Sequence, residues 1–218
     1  QDAIVKVIPR ACEATNGDTD LQLFSYPHIK KLLAETTRRS KLQMAESLSQ
    51  LSSDSQSHWM VQAICFALCD EVAIDYRGTQ YISNTDPDDL RKFEEFAGYA
   101  ASHLLDAWSR QPRCIELYPK LIWIETKAGA TGRSPETWLR HSVATQLYHG
   151  PTLETFMSSR QPRWGGSTEQ MVDFAVKVSE CPWVCRSRQR SAVRRSCQTM
   201  ARWMGLPLWR SHTTTVSR

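Results

Sequence analysis

The feature that most restricts the fold is the segment 59–76, in which apolar residues follow one another almost without interruption before an acidic end. Its first part, residues 59–69, contains a single strongly polar residue, Gln62, and is far shorter than the roughly 20 apolar residues of a membrane-spanning helix. A helix that is apolar on all sides is buried inside a protein. The segment therefore predicts a buried helix in a globular fold without a membrane span.

Two further segments begin with clear helix signals. Asp86 precedes Pro87 and two more acids, as expected for an N-cap, a first helical position and a first turn that the helix dipole favours. Ser134 stands before Pro135 in the same way. We expect one helix from residue 87 to about Trp108 and a second from residue 135 onward.

Short apolar runs indicate a sheet beside these helices. Residues 114–117 and 121–124 are joined by a Tyr-Pro-Lys turn and predict a strand pair. Residues 3–8 are rich in β-branched side chains and predict another strand, whereas residues 171–178 fit a strand or a short helix equally. The expected fold class is α+β, a mostly helical domain with a small mixed sheet.

Charge divides the chain near residue 180. The 218 residues carry a net charge of +4, but all 23 Asp and Glu precede residue 181, and residues 181–218 hold eight Arg and no acid. We expect a single globular α+β domain over 1–180 and a basic Arg- and Trp-rich segment over 181–218. Such a segment attracts nucleic acid or an acidic protein surface. A solvated helix face, or docking on the chain's own acidic part, explains the same arginines equally well. Five of them lie within ten positions: Arg186, Arg188, Arg190, Arg194 and Arg195.

The seven cysteines do not follow a metal or redox spacing. Cys65 and Cys69 are four apart, as are Cys181 and Cys185, and neither pair has the two-residue spacer of a zinc knuckle. A secreted disulfide scaffold is normally shorter and denser in Cys. We therefore expect structural thiols and an intracellular, reducing compartment.

Glu125 and Lys127 are the residues with the clearest mutual chemistry, because they follow the apolar run 121–124. On a strand, residues two apart point to one face. There the carboxylate can hold a divalent metal ion, and the ammonium group can position or activate a water molecule.

The segment IWIETKAG, residues 122–129, resembles the (D/E)xK strand of the PD-(D/E)xK nuclease superfamily. The resemblance implies that Glu125 binds Mg²⁺ and that Lys127 assists the water during phosphodiester hydrolysis. It also implies a glutamine on the following helix, for which Gln146 is the match. The family's metal-binding aspartate has two candidate equivalents: Glu116 on the preceding run, and Asp173, which would require a permuted strand order.

These observations lead to two main functional expectations. The first is a nuclease-like domain that hydrolyses or binds nucleic-acid phosphodiesters with Mg²⁺ as cofactor. The alternative is a non-catalytic helical subunit of a larger assembly, docking through residues 181–218. A nucleic-acid binder without metal dependence is a third interpretation. Metal-dependent cleavage that disappears in folded Glu125→Ala and Lys127→Ala variants would single out the first.

Overall fold

The computed structural model describes residues 59–78 and 84–180, together with the single positions 41, 43, 44, 47 and 48. The chain divides into two compact units, residues 1–159 and 160–218. The helices of the first unit are α1 (Trp59–Arg77), α2 (Pro87–Arg110), α3 (Leu117–Ala128), α4 (Pro135–Thr145) and α5 (Gly150–Ser159). The second unit contains a short 3-10 helix (Pro162–Trp164) and α6 (Thr168–Glu180).

Every regular element in the described part of the chain is a helix, so the expected α+β fold with a small mixed sheet is wrong. The predicted strand pair at 114–117 and 121–124 is a turn followed by α3. Residues 171–178, which fitted strand or helix equally, lie within α6. The strand predicted at 3–8 lies outside the described residues.

The sequence of α3 explains why the prediction of a strand pair was wrong. Apolar runs of four residues do not distinguish a strand from a buried helix. Pro119 favours a turn in the sequence, but it is the third residue of α3, where a missing N–H costs no intrahelical hydrogen bond. The buried side chains of α3 recur at helical intervals along one side: Leu117, Tyr118, Leu121, Ile122 and Ile124.

The buried helix predicted at 59–76 is confirmed as α1, in which 13 of 19 residues are buried. The most extensive helix contact in the described part is between α1 and α2. The buried stripe of α2 contains Ala97, Ala100, Ala101 and Ala107, whose small side chains let the two helices approach closely. None of the helices in the described part combines the length and the hydrophobicity that a membrane span requires.

Both predicted helix starts are confirmed. The Asp86 carboxylate accepts a hydrogen bond of 2.8 Å from the backbone N–H of Asp88, and Pro87 is the first residue of α2. The Ser134 hydroxyl accepts one of 3.3 Å from the backbone N–H of Thr137 at the start of α4. These caps satisfy backbone donors that the helices cannot pair internally.

Helix α3 packs against α2, α4 and α5 and so connects the parts of the first unit. It ends at Gly129, whose φ of 60° lies in the left-handed region that glycine adopts without strain. Cys65, Cys69 and Cys114 are buried free thiols. Burial raises the pKa of Cys65 to about 12 and those of Cys69 and Cys114 to about 11, so these three thiols stay protonated at neutral pH.

Candidate functional site

Glu125 and Lys127 lie at the end of α3 and not on a strand. Residues two apart in a helix are separated by about 200° around its axis, whereas on a strand they share a face. The two side chains accordingly have different partners. Lys127 contacts Asp70 of α1, and Glu125 contacts Thr131 in the connection to α4.

Lys127 and Asp70 form a buried ion pair. Lys127 Nζ lies 2.8 Å from Asp70 Oδ1, and the two side chains are only 5% and 12% exposed. The ammonium group also lies 4.9 Å from the centre of the Trp123 ring. A charge this deep needs its partner, because removal of one member leaves the other uncompensated. The pair therefore joins α3 to α1.

Glu125 organises the loop between α3 and α4. Its Oε2 accepts hydrogen bonds from the backbone N–H of Thr131 at 2.8 Å and from the Thr131 hydroxyl at 2.6 Å. The same hydroxyl oxygen accepts a 2.9 Å bond from Nε1 of Trp138, which is fully buried. The carboxylate thus holds the loop that positions the largest core side chain of α4.

An aromatic cluster continues from this loop. The rings of Trp108 and Trp138 meet edge to face with their centres 5.2 Å apart. The guanidinium of Arg133 lies 5.3 Å from the centre of the first ring and 5.1 Å from that of the second. The Tyr118 hydroxyl accepts from Trp108 Nε1 at 3.3 Å and donates to the Pro112 carbonyl at 2.6 Å. Arg133 is therefore already engaged by the domain's own rings.

Glu116 belongs to a second network of side-chain hydrogen bonds. Its Oε1 lies 3.2 Å from Nε2 of His149, and His149 Nδ1 lies 2.7 Å from the Thr152 hydroxyl. Ser142 donates to that hydroxyl at 3.3 Å. The hydrogen bond with His149 is the main cause that holds the pKa of Glu116 below its ordinary value.

This order of hydroxyl, imidazole and carboxylate is the order of a hydrolase triad. Thr152 is only 1% exposed, so its hydroxyl is not open to solvent in this structure. The chain of hydrogen bonds joins the turn before α3 to α4 and α5 and has a structural role.

The remaining predicted site residues belong to other parts of the chain. Gln146 is the first residue after α4, and its side-chain amide donates to the Tyr148 carbonyl at 2.8 Å. Asp173 lies on α6 in the second unit and pairs with Lys177 at 2.6 Å. The five arginines predicted to bind nucleic acid, residues 186, 188, 190, 194 and 195, lie outside the described residues.

The described residues were compared with the magnesium ion that the nuclease resemblance implies. Within 59–78 and 84–180, no three side chains among His, Cys, Asp and Glu lie close enough together to hold a metal ion. Glu116 and Glu125, two of the three predicted ligands, have His149 and Thr131 as their respective partners. Magnesium binding stays a prediction of the sequence.

Sequence reasoning missed two of the partners described above. Asp70 stands inside the apolar segment 59–76, and a carboxylate in a buried helix requires a cation, so the sequence did contain a signal for a pair such as that with Lys127. His149 lies 33 residues from Glu116, and no local pattern connects these two.

The chain matches no family model, and no curated protein or solved structure is significantly similar to it.

Proposed function

We propose that the chain is a non-catalytic helical subunit of a larger assembly, which binds an acidic protein surface through the arginine-rich segment 181–218. The observation that carries this proposal is the separate use of Glu125 and Lys127. A nuclease site of the resembled type needs the carboxylate and the ammonium group at one point. Here α3 directs them to Thr131 and to Asp70, where each stabilises the fold.

The distribution of charge supports docking through the C-terminal segment. Residues 1–180 hold 19 Lys and Arg against 23 Asp and Glu, whereas residues 181–218 hold eight Arg and no acid. The same segment contains three of the eight tryptophans, at 183, 203 and 209. Arg and Trp are enriched among the residues that dominate binding energy at protein interfaces, and Arg pairs with carboxylates through two parallel hydrogen bonds.

The non-catalytic part of the proposal is tested by a cleavage assay. Labelled single- and double-stranded DNA and RNA are incubated with the full chain in Mg²⁺ or Mn²⁺, beside the Glu125→Gln variant. We expect intact substrate in every case. Metal-dependent cleavage by the wild-type chain that is lost in the folded Glu125→Gln variant would contradict the proposal and support the nuclease interpretation.

The docking part is tested with immobilised poly-L-glutamate as the acidic probe. We expect the full chain to bind, and the triple variant Arg186→Gln/Arg188→Gln/Arg190→Gln to bind about tenfold more weakly. The matched control is Arg113→Gln/Arg140→Gln/Arg163→Gln, which removes three exposed arginines from the described part and is expected to bind nearly as the wild type does. Equal losses in the two triple variants would show that only net charge matters and would contradict a dedicated segment. Binding of duplex DNA but not of poly-L-glutamate would favour the nucleic-acid binder instead.

A further inference from the structure

The outer side of α2 carries an exposed aromatic and acidic surface. Asp88, Lys92, Glu95 and Tyr99 follow one another at three- and four-residue intervals, which places them on the same side of a helix. Tyr99 is 52% exposed, although a large aromatic side chain usually buries most of its area. Its hydroxyl donates a 3.4 Å hydrogen bond to Glu95.

The Tyr99 ring continues into a row of rings that spans α1 and α2. Phe96 meets Tyr99 edge to face at 6.0 Å, and it stacks on Tyr76 of α1 at 5.7 Å with the two ring planes 5° apart. We define the Tyr99 face as Tyr76, Asp88, Lys92, Glu95, Phe96 and Tyr99, of which Asp88 is paired with Arg91 at 3.2 Å.

The ring row already accepts a cation from the protein itself. The ammonium group of Lys92 lies 5.1 Å from the centre of the Tyr76 ring. An arginine guanidinium can lie flat on an exposed tyrosine ring and at the same time donate to a neighbouring carboxylate. Tyr99 and Glu95 offer these two groups side by side.

The negative charge of the chain is concentrated in the same helices. Residues 59–110 hold nine Asp and Glu against four Lys and Arg. By contrast, residues 1–58 hold seven of each sign, and residues 111–180 hold seven acids and eight bases. Two of these nine acids are paired with lysines outside residues 59–110, Asp70 with Lys127 and Glu71 with Lys41, which leaves seven acids against four bases. This remaining excess makes the α1–α2 segment a complement of a segment that contains eight arginines and no acid.

We infer that the Tyr99 face of one copy of the chain binds the arginine-rich residues 186–195 of a second copy, so that copies associate head to tail. The inference rests on the proposed function and names its acidic protein surface. The two contacting surfaces differ, so the copy that contributes its Tyr99 face keeps a free arginine segment, and the other copy keeps a free Tyr99 face. Such a heterologous contact adds copies in sequence.

Sedimentation equilibrium of the full chain tests the association. We expect the average mass to rise with protein concentration at about 50 mM NaCl and the association to weaken about tenfold at about 500 mM NaCl, where charges are screened within a few ångströms. A monomer at every concentration in low salt would overturn the inference.

Two variants test the face itself. Tyr99→Ser and Glu95→Gln are each expected to weaken association by about threefold or more. Their matched controls are Leu147→Ser, at an equally exposed apolar position after α4, and Glu154→Gln, at an exposed position on α5. The controls are expected to associate like the wild type, and equal losses in variants and controls would overturn the assignment of the face.

Mixing two impaired chains gives the sharpest test. A chain with Tyr99→Ser and Glu95→Gln together has a damaged face, and a chain with Arg186→Gln, Arg188→Gln and Arg190→Gln has a damaged arginine segment. Each alone is expected to associate about tenfold more weakly than the wild type, whereas the mixture is expected to form, with wild-type affinity, a one-to-one pair that does not grow further. Absence of this pair, when the wild-type chain does associate, would show that the contact is not head to tail.

Failure of this inference is distinguishable from failure of the proposed function. A monomeric chain that still binds poly-L-glutamate through its arginines overturns only the second-copy assignment. Metal-dependent cleavage lost in Glu125→Gln, or binding that does not depend on the arginines, overturns the proposed function.

Discussion

Two lysine–aspartate pairs in this protein have nearly the same geometry and very different surroundings. Lys127 and Asp70 are 2.8 Å apart with side chains 5% and 12% exposed, whereas Lys177 and Asp173 are 2.6 Å apart with side chains 69% and 63% exposed. The first pair joins two helices of the first unit, and the second lies within one turn of α6. Their comparison shows that contact distance alone does not tell what an ion pair contributes.

Burial separates the two cases. An exposed pair gains little because water and salt screen it and because two flexible side chains must be held in place. A buried pair has lost the hydration of both charges, so either member without the other is strongly unfavourable. The same comparison separates two residues that the sequence assigned to one site: Lys127 is part of the core, whereas Asp173 is a solvated surface residue.

The largest effect is expected from Lys127→Met. The substitution keeps the side-chain length but leaves the Asp70 carboxylate buried without its cation, so we expect the free energy of unfolding to fall by about 3–5 kcal/mol. Urea denaturation followed by circular dichroism measures it. Lys177→Met is the matched control and is expected to change stability by less than about 1 kcal/mol. Equal effects at the two lysines would show that burial does not determine what these ion pairs contribute to stability.

A double substitution sharpens the same test. If the unpaired charge causes the loss, Asp70→Asn combined with Lys127→Met is expected to be more stable than Lys127→Met alone. A double variant that is as unstable as the sum of the two single variants would mean that packing, and not charge, holds this position.

A hydroxyl that links one carboxylate to a buried indole tests whether burial matters without an ion pair. Thr131→Val removes the hydroxyl that joins Glu125 to Trp138, and we expect a loss of about 1–3 kcal/mol because the buried indole N–H then lacks this acceptor. Thr155→Val removes an exposed hydroxyl that bonds only its own helix, and it is expected to change stability by about 0.5 kcal/mol or less. The same denaturation experiment measures both, and similar losses would argue against the importance of the loop network.

The side chains of the Glu116–His149 contact are intermediate in exposure compared with the two lysine–aspartate pairs. Glu116 is 46% exposed and His149 is 10% exposed. The folded-state pKa of Glu116 is below its ordinary value of 4.5, so its contribution is present above pH 4.5 and is lost as the pH falls through the folded pKa. Wild type is therefore expected to exceed Glu116→Gln in stability by up to about 1 kcal/mol near pH 6. The difference should shrink as the pH is lowered below 4.5.

Denaturation at a series of pH values measures this difference. The contrast should also vanish when His149 is replaced by Gln in both chains, because the main cause of the shift is then absent. A difference between wild type and Glu116→Gln that grows at low pH would contradict the assigned cause.

The smallest effect concerns an exposed backbone position without any ion pair. A Cβ added to Gly98 in α2 would meet no atom within 4 Å, so Gly98→Ala is expected to raise stability by about 0.5–1 kcal/mol. Gly166→Ala is the contrasting control, because its Cβ would collide with the backbone of Arg160, and it is expected to destabilise. Thermal unfolding measures both, and a loss at Gly98 would contradict the open surroundings described for it.

Local signals predicted part of this structure well. Asp86 with Pro87 and Ser134 with Pro135 marked the starts of α2 and α4, because a capping side chain bonds backbone groups only two or three residues away. The candidate site could not be predicted in the same way. Its geometry depends on whether residues 121–124 form a strand or a helix, and both have the same short apolar pattern.

A buried helix over residues 59–76 and the starts of two further helices could be predicted from the sequence alone, because these properties follow from the residues' own hydrophobicity and from contacts within one helical turn. The partners of Glu125 and Lys127 could be identified only from the tertiary structure. Asp70 is 57 residues from Lys127 in the chain, and it becomes its partner only because α1 and α3 are folded into the same unit. The helical geometry of α3 separates the two charges, and packing between distant segments gives Lys127 its partner.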